Sequence, residues 1–427
     1  MKKFLNPPFL DWKALQKRPT ASYEQILPIV DEVFTAVQSE GDKAVRRYSN
    51  QFDNYYPDNI EVPKSAWEQA VDELPQDLKT AIDKAYSNIY SFHKAQRTSR
   101  VEVSPQEGVL CWQEKRAIEK VGLYIPGGTA PLFSSVLMLA IPAQLAGCRE
   151  IVLCTPPNKS GTIAAPIRYA ASLCGVTHLF QVGGIQAIAA LTYGTESIPQ
   201  VYKILGPGNQ YVTAAKQKAT QCGVAIDMPA GPSELLVVAD DTANPAYVAS
   251  DLLSQAEHGT DSQVILVSTS TELIEAVQQE IEVQLPLLPR KEIAKSALSN
   301  SKAILFTDEK TAIDFINVYG PEHYIICMKN EEAFVSGVQN AGSVFIGNYT
   351  PESAGDYASG TNHTLPTNGY AKQYSGVNLD SFLKAITFQK ISAKGIKDLG
   401  PTIEAMAEAE GLQAHKNAVS IRLNDLK

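Results

Sequence analysis

The sequence predicts an α/β protein: two domains built on parallel sheets, with smaller helical segments at the ends of the chain. Three observations carry this. The chain has 427 residues, which at roughly 150 residues per domain gives two or three domains and enough length for large cores. Short apolar runs ending in Gly or Pro alternate with amphipathic segments, recurring about every 25 residues, as βα units do. These runs form two series, with Pro229-Ala-Gly-Pro-Ser233 as the seam.

Taken in chain order, residues 1–22 read as an N-terminal arm. Pro7, Pro8, Asp11 and Lys13 interrupt any apolar stretch behind Lys2-Lys3, so no secretory signal is expected. From Tyr23 to Gln96 the apolar residues follow a 3.6-residue period, as in Ile26, Ile29, Val30, Val33, Phe34 and Val37, with Gly41 placed to end that helix. Alternation between Val101 and Lys120 predicts antiparallel strands. The first strand series is Val121–Ile125, Ile151–Cys154, His178–Val182 and Tyr202–Leu205. The second is Leu235–Ala239, Val264–Val267, Ala303–Phe306, Tyr324–Cys327 and Val344–Ile346. The expected division is a first domain of residues 23–120 plus 235–378, an inserted second domain of 121–234, and a helical tail of 379–427. The Gly/Ser/Thr/Asn-rich stretch from Asp356 to Asn378 is too long for a plain connection and reads as a functional loop.

Charge narrows the partners. With 37 Lys+Arg against 46 Asp+Glu the net charge is -9, and no basic block exceeds two residues. Nucleic acid and anionic membrane are therefore excluded as expected partners. The most apolar segment, Ser134 to Cys148, contains Pro142 and Gln144 and is too short to cross a bilayer. Six cysteines are scattered without a Cys-x-x-Cys pair, which predicts reduced thiols and a cytoplasmic protein.

Three strand-to-helix junctions are glycine-rich: Tyr124-Ile-Pro-Gly-Gly-Thr-Ala-Pro, Val182-Gly-Gly-Ile-Gln186, and Gly206-Pro-Gly-Asn209. One such loop is more often a tight turn than a phosphate cradle, and none is a full dinucleotide fingerprint. Three on one sheet share a carboxyl edge, where α/β sheets bind ligands.

Four of the six histidines sit in dense polar contexts. Gln255 and His258, three residues apart, share the edge of an amphipathic helix, as two ligands of one metal would; a histidine capping that helix before Gly259 is the plainer reading. Glu322-His323, where a strand begins, offers two proton-transfer groups, or simply a surface carboxylate beside a half-buried imidazole. Asp356 and His363 lie in the glycine-rich stretch, which would have to fold over a site to bring them into it; an ordinary surface loop is the plainer reading. Glu410 and His415 on an unbroken helix would stand about 140° apart, so spacing alone does not make them converge. Gln255, His258, Asp356 and His415 form an N/O donor set without thiolate, which suits zinc without excluding manganese or cobalt.

Read in order, Val121-Gly-Leu-Tyr-Ile-Pro-Gly-Gly, Gly206-Pro-Gly-Asn, Asp227-Met-Pro-Ala-Gly-Pro-Ser-Glu, Ser254-Gln-Ala-Glu-His-Gly, Tyr319-Gly-Pro-Glu-His, Glu352-Ser-Ala-Gly-Asp-Tyr-Ala-Ser-Gly-Thr-Asn-His and Ala414-His-Lys-Asn-Ala-Val closely resemble the L-histidinol dehydrogenase family, from about Phe34 to Arg422. The resemblance implies two Rossmann-like domains and a cytoplasmic homodimer whose active site is completed by the partner's C-terminal tail. It implies oxidation of L-histidinol to L-histidine through L-histidinal with two NAD, the last step of histidine biosynthesis, with one zinc ion per subunit. By the same resemblance Gln255, His258, Asp356 and His415 are metal ligands, and Glu322 and His323 the catalytic acid/base pair. Ser233, Gln255, His258, His323, Asp356, His363, Glu410 and His415 contact substrate, and Tyr124, Gln186 and Asn209 contact NAD. Two further readings stand beside this one: a zinc hydrolase that uses nearly the same residues, with Glu322 activating a metal-bound water, and a bilobed solute-binding protein without catalysis, which fits two α/β domains but is disfavoured because no export signal is expected.

Overall fold

The computed structural model describes residues 1–19, 25–127, 131–158, 160–229 and 231–426. Part of the first glycine loop (128–130), one residue of the seam (230) and the expected start of the first domain at Tyr23 lie outside the described residues. The chain forms two units, Met1–Gln96 with Glu119–Phe382, and Arg97–Ile118 with Leu383–Lys427.

The strands in chain order are β1 (Lys2–Leu5), β2 (Val101–Gln106), β3 (Val109–Ala117), β4 (Lys120–Tyr124), β5 (Glu150–Cys154), β6 (His178–Phe180), β7 (Lys203–Leu205), β8 (Ala225–Ile226), β9 (Glu234–Ala239), β10 (Gln263–Ser268), β11 (Lys302–Leu305), β12 (His323–Cys327), β13 (Ser343–Ile346) and β14 (Leu383–Ile391). The larger unit holds two sheets, of order β1-β11-β10-β9-β12-β13 and β6-β5-β4-β7-β8. Their pairings are parallel. Both expected strand series are present, and the α/β class with Rossmann-like sheets stands.

The first sheet is covered on both faces, and its sequence shows why. In β9, Leu235, Val237 and Ala239 pack against the helices Pro245–Ala256, Thr271–Gln284 and Lys291–Ser299. Leu236 and Val238 meet the opposite layer, which includes Trp12, Phe306, Phe315 and Tyr319. Alternate side chains leave opposite faces, so two covered faces require an unbroken apolar run.

The arm is part of this sheet. β1 pairs with β11 from Lys2↔Lys302 to Leu5↔Leu305. The helix Phe9–Leu15 then buries Trp12 edge-on against Phe315 at 5.4 Å and brings Arg18 under the strands.

The helices between Leu27 and Ala95 depart from the expected division. Leu27–Glu40 and Asp42–Asp53 share a core with β5, β6 and the helix Gly184–Tyr193 of the second sheet, while Gln76–Ala95 packs on Phe133–Ala146. They join residues 121–226 rather than 235–378; periodicity finds an apolar face but not the surface it meets. The segment expected to be all helical from 379 onward also differs. Leu383–Ile391 is β14, which extends the β2–β3 hairpin into the order β14-β3-β2. Phe388 stacks on Trp112 at 5.2 Å; Ile386, Thr387 and Ile391 are β-branched, which suits a pleated strand. Helices Ala393–Ala409 and Gln413–Asn424 complete this small unit.

In the second sheet Gly206 follows β7 with φ 134°, and a Cβ there would overlap the carbonyl oxygen of Tyr124. Its N–H donates to Asp227 Oδ2 (2.7 Å) and its carbonyl accepts from Lys216 Nζ (2.8 Å), while Lys216 and Asp227 form a buried ion pair. Gly206→Ala therefore combines strain with overlap and should lower unfolding stability by about 2–3 kcal/mol, read by chemical denaturation. An unchanged midpoint would show that the loop does not need glycine.

Candidate active site

Each sheet reverses its strand order once, between β9 and β12 in the first and between β4 and β7 in the second. In the first sheet the polar cluster lies at the amino ends of the strands. β9 begins at Glu234 and β12 at His323, so Glu322 and His323 arrive beside the start of a neighbouring strand. The backbone N–H of Glu234 donates to Glu322 Oε2 (2.8 Å), and His323 Nδ1–H donates to the Glu234 carbonyl (3.1 Å). Both side chains are buried, with His323 Nδ1 3.6 Å from Glu322 Oε2.

The short helix Glu352–Tyr357 adds two carboxylates on one face, because Glu352 and Asp356 are four residues apart. Glu352 Oε1 lies 3.5 Å from His323 Nδ1, and Asp356 Oδ1 lies 3.5 Å from His323 Nε2. One ligating atom from each of His323, Glu352 and Asp356 falls within 4.8 Å of the others. Gln255 is fully buried on the helix Pro245–Ala256, with Nε2 3.5 Å from His323 Nδ1 and Oε1 without a hydrogen-bond partner.

His258 does not continue the helix edge expected for it. The helix ends at Ala256, and His258 lies in the turn beyond, its N–H donating to the Gln255 carbonyl (3.3 Å). His363 Nδ1–H donates to the Asp356 carbonyl (2.7 Å), and its Nε2 meets Ser135 Oγ at 3.0 Å. Ser135 belongs to the helix after β4, so this contact joins the layers of the two sheets.

The electrostatics follow from burial and crowding. Burial pushes the Glu322 and Glu352 carboxyls up to about 8. Burial alone would lower His323, but Glu352, Glu322 and Asp356 outweigh it and hold the imidazole well above its usual range. Asp356, although desolvated, is held below the usual carboxylate range by the hydrogen bond and charge of His323. His258 and His363 are lowered, chiefly by burial. His258 is exposed, yet its ring is close enough to feel the charges of Asp356, His323, Arg290 and His363. Gln255 Oε1, Asp356 and His258 supply oxygen and nitrogen donors without thiolate, and an orphaned buried oxygen is what a cation ligand leaves when the ion is absent.

The cofactor candidates gather at the carboxyl end of the second sheet. Tyr124 ends β4 and its hydroxyl accepts from the Gly184 N–H (3.2 Å). Gln186 is fully buried; its Nε2 donates to Asp53 Oδ2 (2.9 Å) and its Oε1 has no partner. Asn209 caps the helix Gln210–Gln221 by accepting from Tyr211 N and Val212 N, each at 3.1 Å. Ser233, partly buried, immediately precedes Glu234. Glu410 and His415 lie in the smaller unit, both exposed. They are not on one unbroken helix: Gly411, at φ 73°, ends the first and the second starts at Gln413.

Sequence reasoning gave no role to Glu352, Ser135 or Asp53. The four-residue spacing of Glu352 and Asp356 was a usable signal; nothing local marks Ser135 or Asp53.

A family profile for histidinol dehydrogenase matches residues 16–423. The chain is 56% identical over 427 residues to histidinol dehydrogenase of Bacteroides thetaiotaomicron, covering 100% of both. It is 52% identical over 417 residues to the chloroplastic histidinol dehydrogenase of Arabidopsis thaliana, covering 97% of this chain and 89% of that one. The crystal structure of histidinol dehydrogenase from Elizabethkingia anophelis superposes with a TM-score of 0.97 at 54% identity, covering 100% and 98% of the two chains.

Burial pushes the Asp53 carboxyl up to about 6, against the opposing hydrogen bond from Gln186. A raised carboxylate pKa means that the folded state holds the proton more tightly than the unfolded state. The stability this contributes is present below pH 4 and is lost as pH rises through about 6. Asp53→Asn keeps an acceptor for Gln186 without the charge. It should be about 1 kcal/mol more stable than the parent at pH 8, after discounting for partial exposure, with the gain shrinking toward pH 5. Denaturation at the two pH values checks this, and a gain constant with pH would contradict it.

Proposed function

Because the chain belongs to the histidinol dehydrogenase family, NAD-dependent oxidoreductases that catalyse the last step of histidine biosynthesis, we propose that its site oxidises L-histidinol to L-histidine through enzyme-held L-histidinal. The observation that carries the residue roles is the buried Glu322–His323 pair, set beside an oxygen- and nitrogen-donor cluster that contains an unpartnered Gln255 oxygen.

Gln255, His258 and Asp356 would hold the metal from one subunit, with His415 of the partner as the fourth ligand. Tyr124, Gln186 and Asn209 would contact NAD. A zinc ion held there would supply positioning of the substrate and offset carboxylate charge, and NAD would accept the hydride. His323 takes the hydroxyl proton as the alcohol is oxidised. Its Nδ1–H is engaged by the Glu234 carbonyl, which leaves Nε2 as the basic atom. Glu322 deprotonates the water that hydrates the aldehyde, and the resulting gem-diol undergoes the second oxidation. Its burial favours a base that ionises near neutrality over one that is always charged. Ser233, His363 and the partner's Glu410 orient the substrate. The protein would act in the cytoplasm as a homodimer.

His323→Gln keeps a hydrogen-bonding side chain but takes no proton, so both oxidations should slow by about 10² to 10⁴ with zinc content unchanged. Glu322→Gln should slow histidinal oxidation more than histidinol oxidation to the aldehyde, since only the former needs water. NADH formation with each substrate reads both; full activity of H323Q, or equal losses in the two halves for E322Q, would refute the roles.

Loss of one ligand should remove metal and activity together, so His258→Asn should fail to retain zinc after dialysis against chelator. The shared site is tested by mixing. His258→Ala and His415→Ala homodimers should each be inactive, while refolding them together gives mixed dimers with one intact site. Random pairing predicts activity at about a quarter of all sites. Mixtures shown by mass spectrometry to contain heterodimer, yet inactive, would place His415 in its own subunit's site.

A further inference from the structure

Arg18 lies far in sequence from every residue assigned above, yet it is one bond removed from the catalytic pair. Its guanidinium is almost wholly buried and holds the fully buried Glu234 side chain in a fork, Nε to Oε1 at 3.0 Å and Nη2 to Oε2 at 2.8 Å. Nη2 also donates to the Tyr319 carbonyl (2.9 Å) and Nη1 to the Gln16 carbonyl (3.1 Å). The guanidinium stacks on the Tyr319 ring, 3.6 Å from its centroid, and the Asn368 N–H completes the shell of Glu234 Oε1.

The residues so clamped are the ones that fix the reacting groups. The Glu234 backbone donates to Glu322 and accepts from His323, and Tyr319 stands three residues before Glu322. One guanidinium thus sets both the strand that orients the pair and the turn that delivers it. We propose that Arg18 is a positioning residue for the reaction: through Glu234 it fixes the Glu322 carboxylate and keeps His323 in the tautomer whose Nε2 is basic. Lysine cannot replace it fully, because a single ammonium cannot span both carboxylate oxygens and the Tyr319 carbonyl.

This inference rests on the roles proposed for Glu322 and His323, so those variants accompany the test. Arg18→Lys keeps the buried charge and most of the stem; Arg18→Met removes the charge. Misplacement by about 1 Å can cost roughly 10²-fold in rate. The zinc-loaded dimer should accordingly lose kcat about tenfold in R18K and about 10²-fold or more in R18M. KM for histidinol and NAD should stay within about twofold and zinc content should be unchanged. The triple variant R18K/E322Q/H323Q should be no slower than E322Q/H323Q, because Arg18 acts through the two groups already removed. The decision rests on R18K, which keeps the paired charge and so the fold. A folded R18K with the parent's kcat, or losses that multiply when R18K is added to E322Q/H323Q, would overturn the positioning role while leaving the pair's role intact. A fully active H323Q would instead overturn the catalytic roles themselves.

Discussion

The arrangement depends on one buried carboxylate. Glu234 has no solvent exposure, and its charge is met by the Arg18 fork and the Asn368 N–H. Burying two charges is expensive, and such a pair adds little net stability compared with apolar residues of similar size. Its effect is geometric: a carboxylate with both oxygens occupied cannot turn, and the backbone carrying it cannot slip along β12. The Glu234 N–H and carbonyl therefore stay aimed at Glu322 and His323. Removing either member would leave an uncompensated charge, so the clamp is either complete or severely costly.

The two sheets use their crossover points differently. In the second sheet the candidate cofactor residues gather at the carboxyl end, the usual ligand edge of an open parallel sheet, where Gly206 lets the backbone pass close to Tyr124. In the first sheet the polar cluster lies at the amino ends of β9 and β12. There the N–H at a strand's start is free of the ladder and serves as a fixed donor. The Ser135–His363 contact joins the two layers at the cluster.

Much of the fold was legible because burial on both faces writes unbroken apolar runs such as Leu235-Leu-Val-Val-Ala into the sequence. β1 was not: Lys2 and Lys3 are solvent-facing residues of a sheet edge, and pairing to β11 leaves no apolar signature. β14 was missed because it is short of buried residues and is followed by two true helices. The helices from Leu27 to Ala95 were found as helices but placed with the wrong sheet, since an apolar stripe does not encode its partner. At the site, sequence motifs picked out Glu322, His323, Gln255 and Asp356, which the fold brings within reach of one another. Arg18 and Ser135 carry no local pattern, because their roles arise from contacts over more than 200 residues of chain.

Charge balance explains why the cluster suits a cation. Four carboxylates, Glu234, Glu322, Glu352 and Asp356, surround two cationic groups, Arg18 and His323. Arg18 is taken up by Glu234, so the other three carboxylates face the His323 imidazole, with His258 and His363 also near Asp356. Burial drives Glu322 and Glu352 up to about 8, and the neighbouring carboxylates raise His323. A divalent cation held by Gln255, His258 and Asp356 would offset part of this carboxylate charge.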